Sequence, residues 1–330
     1  MSYLTKPLDI GKLKLHNRLV MPPMATAKAK DKGEVSEAIL NYYDEKSKGG
    51  NISLVIIEHS YITEQGKASK NQLSIADDGL VEELKKLSSI IHKNGSKTAM
   101  QINHAGSAAK REVTGMDPVA PSPIINPRLG SEIPNELTID QIKQIVKDFR
   151  DAALRVKQAG FDAVEIHSAH GYLLNQFFSP LTNKRTDEYG GDLLGRIRIH
   201  MEVIKAVREA VGDNYPILLR LGACDFMDGG TTIEDSVAAS VEFEKAGIDI
   251  LDISGGLCGY DVASLSGQGY FSPLTEAIKK AVSIPVILTG GITEIDAAED
   301  LLGQGKADLI GVGRAIYKDS HWASQIDKFI

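Results

Sequence analysis

The side chains best suited to chemistry lie close together in one stretch, residues 165–191, which reads EIHSAHGYLLNQFFSPLTNKRTDEYGG. The apolar run at residues 161–166 predicts a buried strand, and His167, His170 and Tyr172 follow within six residues of its end. Imidazole and phenol groups can donate hydrogen bonds or protons. Because active sites of parallel α/β proteins form at the ends of strands, this cluster predicts a catalytic site.

Short apolar segments alternate with amphipathic ones along the chain, which is typical of a parallel sheet covered by helices. The predicted strands are residues 18–24, 52–58, 97–103, 163–167, 217–221, 250–254, 285–289 and 308–311. The predicted helices are residues 36–48, 80–93, 139–158, 196–211, 233–245, 273–281, 294–303 and 320–329.

Eight such units favour a closed (β/α)8 TIM barrel over an open, doubly wound sheet. No GxGxxG motif opens a helix after an early strand, which counts against a dinucleotide-binding domain. We therefore predict one domain over residues 1–330. Its loop after the third strand is elaborated, roughly residues 106–135, and includes a possible hairpin or lid at residues 119–123.

The composition is that of an ordinary globular protein, with 330 residues, 42% hydrophobic and 25% charged. A net charge of −7 offers no basic field for nucleic acid or a membrane surface. Cys224 and Cys258 lack a CxxC spacing, and no apolar run reaches the length of a membrane span. These features predict a cytoplasmic protein with a small-molecule partner, which could form a homo-oligomer.

Two consecutive strands near the C-terminus end in glycines, Gly290-Gly291 and Gly313, and Arg314 follows the second. Glycine lets backbone amides approach an anion closely, and the loops after strands seven and eight of such barrels often bind phosphate. The alternative is that these glycines only form tight turns. Their joint position favours a phosphate site, to which Arg314 could add a bidentate contact.

Further polar side chains are predicted at the same barrel mouth. Arg220 lies in an apolar strand, so it needs either a structural ion pair, with Glu165 for example, or an anionic ligand; its place at a strand end favours the ligand. The Gln101 amide could read a donor–acceptor pattern on a heterocycle or bind loop backbone. Pro22 and Pro23 either stop the first strand or form a stiff edge, with the Thr26 hydroxyl nearby.

A metal site is the main chemical alternative for the two histidines. His167 and His170 could bind a metal in a barrel lyase or hydrolase, but two imidazoles without a third ligand make a thin site. A pair of donors for an oxygen atom, with Tyr172 as a proton donor, explains more of the cluster. We therefore predict no metal.

Several segments together resemble the old yellow enzyme family, the NADH:flavin oxidoreductases that act as FMN-dependent ene reductases. They are residues 15–21 (LHNRLVM), 101–106 (QINHAG), the long stretch 165–191, Arg220, and residues 311–314 (GVGR). The long stretch is specific to the family, whereas glycine turns are common. The resemblance covers nearly the whole chain and implies a TIM barrel with tightly bound FMN at its mouth, reduced by NADH or NADPH.

The resemblance also implies roles for individual residues. His167 and His170 would bind the carbonyl oxygen of an α,β-unsaturated substrate, and Tyr172 would protonate the alkene. Contacts to the flavin ring would come from Pro23, Met24, Ala25, Thr26, Gln101 and Arg220, and contacts to its phosphate from Gly290, Gly291, Gly313 and Arg314. A barrel that binds flavin without catalysis is the non-enzymatic alternative, and the presence of Tyr172 argues against it.

The chain departs from the family pattern in three places. Ala25 stands where bacterial relatives with a His–His pair often carry a flavin-tuning cysteine. The sequence stops at Ile330, without the longer tail that can reach a neighbouring subunit. It also lacks the iron–sulfur and dinucleotide-binding extension of larger relatives, so we expect electrons to come directly from a free nicotinamide.

Overall fold

Eight parallel strands close into a barrel in the computed structural model, which describes residues 2–11, 13–130 and 132–330. The barrel strands are β1 (Leu19–Met21), β2 (Leu54–Tyr61), β3 (Lys97–Asn103), β4 (Ala163–Ser168), β5 (Ile217–Gly222), β6 (Ile250–Ser254), β7 (Val286–Thr289) and β8 (Leu309–Gly311). Each strand pairs with its neighbours in sequence, and β8 pairs with β1. The predicted TIM barrel is confirmed.

Helices cover the outside of the barrel. They are α1 (Glu37–Ser47), α2 (Val81–Lys93), α3 (Ile139–Gln158), α4 (Leu193–Val211), α5 (Ile233–Ala246), α6 (Ser272–Lys279), α7 (Ile295–Gly303) and α8 (Arg314–Lys318). Short helices also occur at Arg111–Thr114 and Leu173–Phe178, with 3-10 turns at Glu64–Gly66, Asp78–Leu80, Gly106–Ala108 and Trp322–Phe329. The predicted last helix, residues 320–329, was therefore wrong in type: the α-helix after β8 is α8, and a 3-10 helix follows it.

Local sequence sets the ends of these helices. Thr138 and Thr232 each form a capping box, in which the threonine hydroxyl accepts from an amide three residues later. Gly247 ends α5 in a left-handed conformation that costs glycine little. The caps satisfy amides and carbonyls that have no partner within the helix.

The barrel interior is filled by apolar side chains at its N-terminal end and lined by polar side chains at its C-terminal end. Apolar side chains from every strand fill the interior, among them Val20, Leu54, Ile56, Ala99, Ala163, Leu218, Ile250, Ile287 and Leu309. Leu13 and Leu15 of a small antiparallel hairpin, Leu8–Ile10 with Leu13–Leu15, pack against this layer. The opposite, C-terminal end therefore remains for the polar side chains.

Two local features differ from the predictions. Strand β2 runs three residues beyond its predicted end at Glu58, and its pairing with β3 shifts by one residue between Ile57 and Ser60, which marks a β-bulge. The segment Val119–Ala120 pairs in parallel with Asn135–Glu136, so it is not the antiparallel hairpin considered for this loop. That one domain fills residues 1–330 stays a prediction; Met1, Lys12 and Ser131 lie outside the described residues.

Candidate active site

The end of β4 brings the histidine–tyrosine cluster together. The ring of His167 lies 5.2 Å from that of His170 and 5.1 Å from that of Tyr172, each in an edge-to-face arrangement. His167 is buried, whereas His170 and Tyr172 are half-buried. The three predicted catalytic side chains thus line one small space at the barrel mouth.

His170 is held in an uncommon backbone conformation. Its φ of 61° lies in the left-handed region, which costs a non-glycine residue about 1–3 kcal/mol and is found most often at functional sites. The Arg128 guanidinium donates to the His170 carbonyl oxygen at 2.9 Å, and the His170 amide donates to the Gly255 carbonyl at 3.3 Å. Loops after β3 and β6 therefore fix the direction of this imidazole.

Ser254, at the end of β6, contacts the imidazole itself. Its hydroxyl oxygen lies 2.7 Å from His170 Nε2, so Nδ1 is the nitrogen left for a ligand. When the hydroxyl donates to Nε2, the single proton of the neutral imidazole must reside on Nδ1. Ser254 is buried and can thus set the tautomer of His170.

The ionisable side chains of this cluster are neutral at pH 7. Burial lowers the pKa of both histidines well below the usual range; nearby His170 adds to the effect on His167, and Arg220 adds to the effect on His170. Burial raises the pKa of Tyr172. At neutral pH the site holds two uncharged imidazoles and a protonated phenol, which can donate hydrogen bonds and, from the phenol, a proton.

The cation Arg220 has a partner at the barrel mouth, but not the one expected. Its Nη1 donates to Asp252 Oδ2 at 2.8 Å, so the ion pair is formed with Asp252 and not with Glu165. Glu165 Oε1 accepts from Gln101 Nε2 at 2.9 Å. Burial raises the pKa of both Glu165 and Asp252, but Asp252 raises that of Glu165 further while the Arg220 guanidinium lowers that of Asp252, so the proton is favoured on Glu165.

The end of β1 forms another side of the mouth. Pro23 and Met24 are half-buried and Ala25 is exposed. The Thr26 amide and hydroxyl donate to Glu58 at 2.5 and 2.9 Å, so this hydroxyl is occupied within the protein. Burial raises the pKa of Glu58 to about 7, even though the two donors from Thr26 act in the opposite direction.

The glycine turns after β7 and β8 adjoin the same end of the barrel. A Cβ on Gly313 would lie 3.3 Å from Met24 Sδ, and one on Gly291 would lie 2.6 Å from the Tyr270 ring. Gly290 and Gly291 have φ values of 157° and 69°. Close packing therefore favours glycine at these positions, whether or not their amides also bind a phosphate. Arg314 Nη2 lies 3.4 Å from the Tyr270 hydroxyl.

Several buried polar atoms at the mouth have no hydrogen-bond partner within the described ranges. They include Asn103 Oδ1, Glu165 Oε2, His167 Nδ1 and Arg220 Nε, all on β3, β4 and β5. Buried polar groups are rarely left unpaired, so these atoms point to a polar ligand. A flat heterocycle with donors and acceptors, joined to a phosphate near Gly291 and Gly313, fits both this set of atoms and the glycine turns.

Four residues near the site were missed by sequence reasoning: Glu58, His59, Arg128 and Ser254. Glu58 could have been noticed as a charge at the end of an apolar strand, by the argument used for Arg220. His59 directly follows the predicted strand 52–58, so the argument used for His167 could have found it. Arg128 and Ser254 lie in a long loop and at an ordinary strand end, where residue type alone carries no signal.

The comparisons with known proteins agree with this geometry. The family described as NADH:flavin oxidoreductase / NADH oxidase matches residues 3–330. The chain belongs to this family. The predicted old yellow enzyme resemblance is confirmed, and the prediction of FMN and a nicotinamide as cofactors is confirmed at the level of the family.

Two curated relatives illustrate the range of the family. An NADH oxidase of Thermoanaerobacter brockii is 42% identical over 319 residues, which are 95% of this chain and 49% of that protein. An NADPH dehydrogenase of Clostridium acetobutylicum is 40% identical over 309 residues, which are 93% of this chain and 89% of that protein. The chain thus spans about half the length of the first relative but most of the second.

Solved structures of the family share the fold. Morphinone reductase in complex with tetrahydroNAD is 26% identical, with a TM-score of 0.85 over 99% of this chain and 90% of that one. A 2-naphthoyl-CoA reductase complex is 27% identical, with a TM-score of 0.93 over 99% of this chain and 52% of that one. Within the described ranges, no helix is long and apolar enough to cross a membrane.

Proposed function

We propose that this protein is an FMN-dependent ene reductase, which uses NADH or NADPH to reduce the activated C=C bond of an α,β-unsaturated carbonyl compound. The observation that carries the proposal is the convergence of His167, His170 and Tyr172 in one small space. Family membership supports flavin-dependent oxidoreduction. The alkene substrate and the roles of the three side chains are our inference.

The two imidazoles would bind the substrate's carbonyl oxygen. Donors placed where negative charge develops stabilise that charge without having to reorganise. Neutral His167 and His170 can each offer one N–H to the oxygen, and the Ser254 contact leaves Nδ1 of His170 for this purpose. Withdrawing electron density through the carbonyl activates the alkene towards the hydride that bound, reduced FMN supplies.

Tyr172 would then protonate the other alkene carbon. Burial raises the pKa of its phenol, so the proton is retained until a strong carbanion-like base develops nearby. The Tyr172 ring lies 5.1 Å from that of His167, which supports a position of its hydroxyl beside the bound substrate. General acids of this kind contribute a factor of about 10²–10⁴ to the rate.

The cofactor would be held by two groups of residues. Gln101 and Arg220 would contact the ring, Arg220 through its unpaired Nε, while Pro23, Met24 and Ala25 would lie against it. Gly290, Gly291, Gly313 and Arg314 would hold the phosphate, since backbone amides and a guanidinium suit an anion. Because Glu58 occupies both the amide and the hydroxyl of Thr26, Thr26 would act on the flavin through its carbonyl oxygen or by shaping the loop.

The test begins with the flavin itself. Purified protein should be yellow, lose its colour with NADH or NADPH under argon, and regain it when cyclohexenone is added. Protein that neither carries nor takes up FMN would refute the proposal at its base. If the flavin is bleached and is then reoxidised by oxygen but not by any enone, the protein is a flavin oxidoreductase but not an ene reductase.

A metal-dependent lyase or hydrolase was the alternative for His167 and His170. Within the described ranges, no three or more His, Cys, Asp or Glu side chains are placed to hold a metal ion, so no observation favours it. Metal analysis of the purified protein distinguishes the two functions. Both cysteines are free thiols, which fits the cytoplasmic location that we propose.

A further inference from the structure

The bulge in β2 turns His59 into the barrel mouth. Along β2 the side chains alternate, with Leu54 and Ile56 in the barrel interior and Val55 and Ile57 against the helices. Regular alternation would send His59 outwards with Val55 and Ile57. The bulge between Ile57 and Ser60 breaks the alternation, and bulges often re-aim a side chain next to an active site.

Gln72 fixes the protonation of His59. The Gln72 Nε2 amide donates to His59 Nδ1 at 3.0 Å and to the His59 carbonyl at 3.1 Å. The amide cannot be reversed, because Gln72 Oε1 accepts from the Ala68 amide at 2.7 Å. Since Nδ1 accepts, the proton of the neutral ring must be on Nε2. Burial lowers the pKa of His59 to about 4, so the ring is neutral at pH 7.

His59 lies against two members of the catalytic cluster, His167 and Tyr172. Its ring stacks on Tyr172 at 5.3 Å with the planes 29° apart, and it lies 6.2 Å from the ring of His167. The only hydrogen bonds of its side chain, among the residues described, are at Nδ1, from Gln72 and more weakly from Asn103 at 3.4 Å. An N–H donor at Nε2 therefore remains unused beside Tyr172.

We propose that His59 is a specificity-determining residue, which donates a hydrogen bond to a second acceptor group of the substrate while His167 and His170 bind the first. The preferred substrates are then conjugated alkenes with a carbonyl at each end, such as enediones. This inference rests on the proposed function, because it assigns substrate preference to the same site.

The spacing of the donors suits such compounds. The two carbonyl oxygens of a six-membered ring enedione lie about 5 Å apart, from two C=O bonds of about 1.2 Å across the ring. The ring centres of His59 and His167 are 6.2 Å apart, so the two N–H groups would bind both oxygens of one small cyclic substrate by approaching them obliquely and not end-on. His59 and His167 do not repel each other electrostatically, since both imidazoles are neutral.

The test compares substrates that have one or two carbonyl groups. In His59→Phe the ring and its stack on Tyr172 are retained but the donor is lost; in His59→Gln an N–H donor is retained. We expect His59→Phe to lower kcat/KM for ketoisophorone about two- to tenfold, the value of one hydrogen bond, and to change that for cyclohexenone less than twofold. His59→Gln should recover part of the loss.

A binding measurement without turnover gives a second readout. Changes in flavin absorbance report the Kd of para-hydroxybenzaldehyde, which has acceptors at both ends, and of phenol, which has one oxygen. His59→Phe should weaken the first ligand about two- to tenfold and leave the second unchanged. Should His59→Phe fail to retain flavin, Gln72→Met, which frees the tautomer of His59, should show a smaller loss in the same direction.

The outcomes separate this inference from the proposed function. Equal losses for ketoisophorone and cyclohexenone, or for both ligands, would mean that His59 only supports the fold, and would overturn the inference alone. Wild-type protein that does not reduce cyclohexenone at all would overturn the proposed function and the inference with it.

Discussion

The contact between Ser254 and His170 yields a quantitative prediction. The Ser254 hydroxyl lies 2.7 Å from His170 Nε2, and the proposed role of His170 requires the hydroxyl to donate, so that Nδ1 keeps its proton for the substrate oxygen. In Ser254→Ala the two neutral tautomers become similar in energy. Ligand binding must then select the Nδ1-protonated tautomer of His170 without the Ser254 hydrogen bond. This costs about 0.5–1.5 kcal/mol of binding free energy, the net value of one hydrogen bond.

This cost predicts that Ser254→Ala binds phenol about two- to tenfold more weakly than wild type, measured by titration of the flavin absorbance. Ser254→Thr keeps the hydroxyl and should bind phenol normally. Ser240→Ala is a matched control, because Ser240 is also buried but its hydroxyl has no partner in the described part of the chain.

Nitrogen NMR of labelled imidazole gives a readout that a merely structural role would not change. In wild type the resonances should report a protonated Nδ1 and an unprotonated Nε2 for His170, and in Ser254→Ala a mixture of tautomers. Unchanged phenol affinity in Ser254→Ala, or an equal loss in Ser254→Thr, would refute the proposed direction of this hydrogen bond.

Three further predictions follow from named contacts. Tyr172→Phe should slow reoxidation of the flavin by enones about 10²- to 10⁴-fold while NADH still bleaches it, in stopped-flow measurements; equal loss of both steps would contradict a proton-donor role. The pKa of Glu58 is raised from 4.5 to about 7 in the folded protein, so its contribution to the free energy of unfolding is complete below pH 4.5. About 3 kcal/mol of that contribution is lost as the pH rises through 7. Glu58→Gln should therefore flatten the dependence of Tm on pH, and an unchanged dependence would contradict this argument. Gly291→Ala should lose bound flavin, because the new Cβ would lie 2.4 Å from the Gly267 carbonyl oxygen, whereas Gly305→Ala has the same φ of 69° and open space and should retain flavin.

The fold could be predicted because its information is local. Each barrel strand is an apolar run bounded by turn residues, and each prediction overlaps one observed strand. The cluster His167–Tyr172 could also be predicted, since its members lie within six residues and a strand end positions them. Spacing along the chain was enough for these features.

The rest of the site depends on contacts between distant segments. The partner of Arg220 comes from β6, and the sequence offers several carboxylates for it; the strand register places Asp252 beside it. His59 lies one residue beyond the predicted strand 52–58, and only the bulge in the observed strand shows that its side chain turns towards the barrel mouth. Ser254 has an unremarkable residue type, so its contact with His170 required the structure.

The charges at the barrel mouth are consistent with the proposed role of neutral donors at this site. Arg220 faces two buried carboxyl groups, and a protonated Glu165 leaves one ionised carboxylate, Asp252, to balance the guanidinium. The pair contributes little net charge, yet Arg220 Nε has no hydrogen-bond partner in the described part of the chain. Since His167 and His170 are also neutral, developing negative charge would meet oriented N–H dipoles and not a fixed excess of positive charge. Such a site stabilises charge that appears during a reaction without holding a charged ground state tightly, which is the requirement for raising a rate and not only an affinity.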